Sequence, residues 1–158
     1  MTYVRLSARE SFHIDVSGWA SDREPLDSFL EEPNLARIAT MDETGQPHVV
    51  PVWHWWDGTS FWIGAQEDDR KVRNIRARGT AGLEVDADLR RKRGIFCTGA
   101  ARLIDGPAGR TEYVRITAEQ VRRYQPDKPP RETAERYSRD GAPVVIQLTP
   151  DRMISWGR

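Results

Sequence analysis

Gly45-Gln46-Pro47-His48-Val49-Val50-Pro51-Val52-Trp53-His54-Trp55-Trp56-Asp57-Gly58 is a run of β-formers held between two turn signals. Its valines and tryptophans favour a pleated surface on both faces, and Gly45 and Asp57-Gly58 are places where the chain can reverse. Pro51 has no N–H to give to a ladder, so this segment must lie at a sheet edge or be bulged there. On the N-terminal side, Leu35 to Met41 sets Leu35, Arg37 and Ala39 against Ala36, Ile38 and Thr40, a two-residue period. Asp42 to Pro47 reads as a hairpin connection, with Gly45 free to take positive φ. On the C-terminal side, Ser60-Phe61-Trp62-Ile63-Gly64 returns as a third strand.

Further out, a helix is expected from near Asp22, with Pro25 early and Leu26, Phe29 and Leu30 on one face, stopped by Pro33. A second helix is expected from Asp68 to Arg78, with Val72 and Ile75 inward and Gly79 ending it. Thr80 to Asp86 and Ile95 to Ile104 read as strands joined by the charged loop Asp88 to Gly94. Gly109 to Tyr124 and Glu132 to Ser138 are helical in pattern, with proline-rich Gln125 to Pro130 between them. Pro143 to Leu148 and Met153 to Trp156 are late strands, separated by Pro150. Few helices lie between consecutive strands, so the expectation is one mainly β domain over residues 1–158. Its form is an antiparallel barrel of about six or seven strands with short peripheral helices.

The 158 residues carry 24 basic and 24 acidic side chains. A nucleic-acid-binding domain is usually clearly basic, so that partner is not expected. No apolar run approaches the roughly 18 residues of a membrane span, and Met1 to Glu10 has no hydrophobic core of a secretory signal. A cytoplasmic location with no membrane partner is expected. The single cysteine, Cys97, lies in an apolar stretch and reads as a small buried side chain.

For chemistry, the suggestive unit is Gln66-Glu67-Asp68-Asp69-Arg70-Lys71-Val72-Arg73-Asn74-Ile75. A helix N-terminus offers free amides and partial positive charge to a phosphate, and Arg70 and Lys71 in the first turn add two cationic donors. The competing reading is a solvated basic face whose leading charges pair with Asp68 and Asp69. The rings of Trp53, Trp55, Trp56, Phe61 and Trp62 could stack on a planar ligand or serve as core and interface. His48 and His54 lie about 20 Å apart along one strand, too far to share a metal. No cluster of metal-ligand spacing, Gly-rich phosphate loop or nucleophile elbow occurs, so no metal site and no catalytic residue is assigned.

Leu26 to Pro107 resembles the pyridoxamine-phosphate-oxidase-like FMN-binding split-barrel superfamily, near its deazaflavin-dependent branch. The resemblance is carried by Leu35-Ala36-Arg37-Ile38-Ala39-Thr40, Gly45 to Trp53, Trp56-Asp57-Gly58 and Arg70-Lys71-Val72-Arg73-Asn74-Ile75. Thr98-Gly99-Ala100-Ala101 and Pro150 to Trp156 complete the pattern. It implies a split β-barrel that assembles as a homodimer with two cofactor sites at the shared interface. The cofactor implied is FMN or the deazaflavin coenzyme F-420. Arg70 and Lys71, with Asn74 in the same motif, would hold its phosphate. His48, Val49, Val50, Pro51, Val52 and Trp53 would lie along the ring, largely through backbone groups. Trp62, Ile63 and Gly64 would line the ribityl side, and Arg93 beside Gly94 is the candidate contact from the second subunit. Vitamin B6 oxidases carry a C-terminal arginine and histidine for the substrate. No histidine follows His54 here, so that activity is not expected.

The function expected is hydride transfer between the flavin-type cofactor and a small organic substrate. The alternative is a non-catalytic flavin or haem storage protein on the same scaffold. A long anionic deazaflavin tail would find the Arg90 to Arg93 loop attractive.

Overall fold

Strand pairing follows the hairpin order only in part, because some strands far apart in the chain also pair. In the computed structural model, which describes residues 4–5, 23–87 and 93–157, the first half runs β1 (Val4–Arg5), α1 (Arg23–Glu31), β2 (Ala36–Met41), β3 (Pro47–Val52), β4 (Trp55–Trp56), β5 (Phe61–Gln66) and α2 (Arg70–Arg78). There follow β6 (Thr80–Asp86), β7 (Gly94–Ile104), α3 (Gly106–Tyr124), α4 (Pro130–Tyr137) and β8 (Pro143–Trp156). One sheet contains all the described strands in the order β3-β2-β6-β7-β8-β5-β4, with β1 also on β8. Each pairing is antiparallel. The sheet curls around a single large core and leaves β3 and β4 as its ends. The fold is therefore a mainly β split barrel.

The core is filled from alternate strand positions and from two helices. Ile38, Phe61, Ile63, Leu83, Val85, Ile95, Ile146 and Leu148 are fully buried, as are Leu26 and Leu30 of α1 and Val72 of α2. Each such side chain contributes about 1.5–3 kcal/mol relative to exposure. Cys97 is buried among them, and burial pushes its thiol well above the ordinary range. Among the described residues no helix is long and apolar enough to cross a membrane.

Four local expectations need correction. The run from His48 to Trp56 is not one strand, because the chain leaves the ladder at Trp53 and His54. His54 turns inward with 0% exposure, and its Nδ1 lies 3.0 Å from the Tyr124 hydroxyl on α3. The late strands join into a single β8, since Pro150 falls where the β7–β8 register shifts between Thr98 and Gly99. Gly99 permits this: a Cβ there would stand 2.0 Å from the Thr149 carbonyl oxygen. The second helix opens at Arg70 rather than Asp68, with Asp69 as its N-cap residue. Finally, α3 is 19 residues long, not short, and covers the outer side of β5.

Candidate functional site

The first turn of α2 carries Arg70 and Lys71 and no acidic residue. Val72 and Arg73 donate their amides to the Asp69 carbonyl at 3.0 and 3.2 Å. Helix geometry then leaves the amides of Arg70 and Lys71 as the outward donors of the turn. Both cations already have acidic neighbours. Lys71 Nζ donates to Asp69 Oδ2 at 2.5 Å, and Arg70 Nη2 donates to Asp42 Oδ2 at 2.8 Å. The two differ in setting, since the Lys71 side chain is 13% exposed and that of Arg70 45%. Of the two acids expected to pair with these charges, Asp69 does so. Asp68 instead accepts Arg73 through its backbone carbonyl at 2.6 Å.

Asp69 sits in the N-cap position without making a side-chain cap bond. Its Oδ2 accepts the Gln66 amide at 2.9 Å, while its own amide donates to the Gln66 carbonyl at 3.0 Å. Burial raises its carboxyl, but the Lys71 and Gln66 hydrogen bonds outweigh this and hold it below the ordinary range, helped by the charges of Lys71 and His48. Asp42 is fixed differently. Its Oδ1 accepts the amides of Thr44 and Gln46 at 3.0 and 2.9 Å, so it shapes the β2–β3 turn. Arg78 grips the Asp42 carbonyl at 2.6 Å. The hairpin loop is thereby tied to α2 at both ends of the helix.

β3 is the terminal strand of the sheet, one of the two placements that Pro51 allows. The Asp42 amide donates to the Gln46 carbonyl at 3.1 Å, and pairing continues through Thr40 opposite His48 and Ala39 opposite Val49. Backbone groups alternate in direction along such a ladder. His48 and Val50 therefore bond towards β2, while Pro47, Val49 and Pro51 point outward. Of these three, Val49 alone carries an N–H, flanked by the carbonyls of all three. Val49 as a whole is 58% exposed.

His48 faces α2, because it stands opposite Thr40, whose hydroxyl accepts Asn74 Nδ2 at 3.0 Å. Asn74 is itself buried. One corner thus gathers His48, Arg70, Lys71 and Asn74, with Val49, Val50, Pro51 and Val52 running away from it along the edge. A cavity of about 360 Å³ opens beside Asp42, Thr44, Arg70, Arg73 and Asn74. A second of about 510 Å³ lies on the outer sheet face between Met41, Pro47, Gly82 and Phe96.

The remaining candidates lie elsewhere. Trp53 stacks on Tyr124 with ring centroids 5.1 Å apart. Trp62 is buried beneath α3 and donates its indole N–H to Asp57 Oδ2 at 2.7 Å. Ile63 is fully buried in the main core. Gly64 lies under the Tyr113 ring, and a Cβ there would meet Tyr113 Cε2 at 2.8 Å. Arg93 places its guanidinium 5.1 Å from the Phe29 ring centroid. It therefore stands by α1, near the Ala36–Val85 end of the sheet, a strand length of about 17 Å from the α2 corner. The expectation for Arg90 to Lys92 falls outside the described residues. Nothing in the sequence marks Tyr113 of α3 as the ring that covers Gly64 on β5.

A family model described as pyridoxamine 5'-phosphate oxidase matches residues 23–157. No curated protein matches the chain by sequence. Among solved structures, a conserved hypothetical protein from Mycobacterium tuberculosis superposes with a TM-score of 0.74 at 19% identity, over 89% of this chain and 88% of that one. An F420 reductase aligns at 26% identity and a TM-score of 0.59, over 80% of this chain and 94% of that one. HutZ, the haem storage protein from Vibrio cholerae, aligns at 14% identity and a TM-score of 0.64, over 85% and 92%. At their low identity, the first and third of these are likenesses of fold.

Proposed function

This chain belongs to the pyridoxamine 5'-phosphate oxidase family, and from that premise we propose that it is a flavin- or deazaflavin-dependent oxidoreductase acting on a small organic substrate. The observation that carries the reading is the corner where the first turn of α2 meets the free edge of β3. Lys71 and the outward amides of Arg70 and Lys71 form a donor set suited to a phosphate. Beyond them, the Val49 N–H and its neighbouring carbonyls offer a donor and acceptors in line. That pattern complements the amide edge of a flavin-type ring. The likeness to an F420 reductase at 26% identity, over nearly all of that chain, supports a flavin or deazaflavin ligand.

When bound, the cofactor supplies the hydride chemistry. The chain's own residues bind and orient it: the α2 turn and Lys71 at the phosphate, the β3 edge at the ring, and Asn74 fixing α2 against β2. We further propose a homodimer joined through the outer sheet face, where Met41, Val49, Phe96 and Trp156 are exposed. Arg93 would then reach a cofactor only across that seam.

The test is a fluorescence titration of the purified protein with FMN and with coenzyme F-420. Lys71→Glu is expected to lose at least about tenfold in affinity, since a charge-assisted contact contributes about 1.5–3 kcal/mol. An unchanged affinity removes Lys71 from the site, and failure to bind either cofactor ends the reading. Reduced cofactor with quinone, biliverdin or unsaturated ketone separates an enzyme from a carrier, because a carrier gives no repeated turnover.

A further inference from the structure

We propose that Asp69 decides which phosphate this corner accepts, disfavouring the doubly charged monoester of FMN and tolerating the singly charged diester of the deazaflavin coenzyme. The inference rests on the cofactor reading above and names a residue that the reading does not require.

Asp69 places a fixed negative charge on the cation that a phosphate would need. The carboxylate touches Lys71 Nζ at 2.5 Å. It is not free to swing away, because the Gln66 amide holds the same oxygen at 2.9 Å. Helix capping does not account for its presence, since its side chain makes no cap bond. The Arg70–Asp42 pair differs in exposure: that arginine is half in solvent, although Asp42, like Asp69, also accepts backbone amides, those of Thr44 and Gln46. Lys71 is largely covered, so charges around it are less screened than at the surface.

An arriving phosphate must share Lys71 with this carboxylate or stand beside it. A monoester carries about 1.5–2 negative charges near pH 7, and a diester about one. Repulsion from one fixed carboxylate scales with that charge, so it weighs on FMN about twice as heavily. The amides of Arg70 and Lys71 serve both ligands alike and leave the difference in place.

Asp69→Asn removes the charge while its amide oxygen can still accept the Gln66 N–H. Kd values for FMN, coenzyme F-420 and riboflavin are measured on the wild type and this variant, with Tm as the control for folding. Riboflavin has no phosphate. The expected result is FMN tighter by about tenfold, F-420 tighter by about threefold or less, and riboflavin unchanged. Asp69→Ser, which also keeps an oxygen, replaces the asparagine variant if Tm falls. Equal gains for FMN and F-420, an equal gain for riboflavin, or no gain for FMN overturns the inference. In those cases the cofactor reading stands if Lys71→Glu still weakens binding. A wild-type protein that binds neither cofactor removes the reading itself.

Discussion

His54 shows what one side chain does to its surroundings. Burial, with the nearby Arg123 charge adding to it, lowers its pKa from 6.5 to about 3, so the imidazole is neutral near pH 7. The Tyr124 hydroxyl donates to the Asn34 carbonyl at 2.9 Å. The same hydroxyl lies 3.0 Å from His54 Nδ1, so a short run of polar contacts joins Asn34, Tyr124 and His54. The unfolded chain takes up a proton near pH 6.5 and the folded chain does not, so stability falls as pH drops from 6.5 towards 3. Between pH 7.5 and 5 the loss is expected to be about 2 kcal/mol. Asp42, Asp57 and Asp69, all held below 3.8, add their losses only at lower pH. Glu84, raised above 4.5 mainly by burial, opposes the trend slightly. Urea unfolding of His54→Gln at the two pH values is expected to show less than half the wild-type loss, and an equal loss would assign the proton to another group. Much at this scale was legible: the helix expected over 68–78 already carried Arg70 and Lys71 in its first turn, with Gly79 as its stop. The Arg70 partner was not, because Asp42 lies in a separate hairpin.

The strand at the sheet end shows the same limit on a larger scale. Pro51 announced an edge or a bulge, because a proline cannot donate within a ladder, whatever lies around it. The break at Trp53 and His54 left no such mark, since it depends on Tyr124 arriving from α3. The continuity of β8 through Pro150 was hidden likewise, since it needs Gly99 on the neighbouring strand. Trp62 could be read as a pocket wall until α3 was seen to cover it, with Gln120 Nε2 donating to the Trp62 carbonyl at 3.0 Å. The outward turn of Val49 has a direct consequence. Val49→Pro removes the one amide that the β3 edge offers between Pro47 and Pro51 while leaving its bonds to β2 intact. Cofactor affinity is expected to fall about three- to tenfold, as for one hydrogen bond, with little change in Tm. Titration of the variant with FMN and F-420 checks this, and full affinity would move the ring off β3.

At the scale of the whole molecule, the barrel class was legible because turn signals and strand periods recur at short intervals. The way two copies would meet was not, because it depends on which face stays uncovered. Phe96 is 38% exposed on the outer face, its ring 3.4 Å from where a Gly82 Cβ would be. Phe96→Asp is expected to leave Tm nearly unchanged and turn a sedimenting dimer into a monomer with weakened cofactor binding. A wild type that sediments as a monomer would remove the dimer. β8 bonds to β1, β5 and β7, which makes it the keystone of the curl. In chain order it comes last among the described elements. Until residues 143–156 emerge, β5 and β7 present open backbone edges to any passing strand. A chain made only as far as α4 therefore leaves two edges open to wrong partners until β8 covers both.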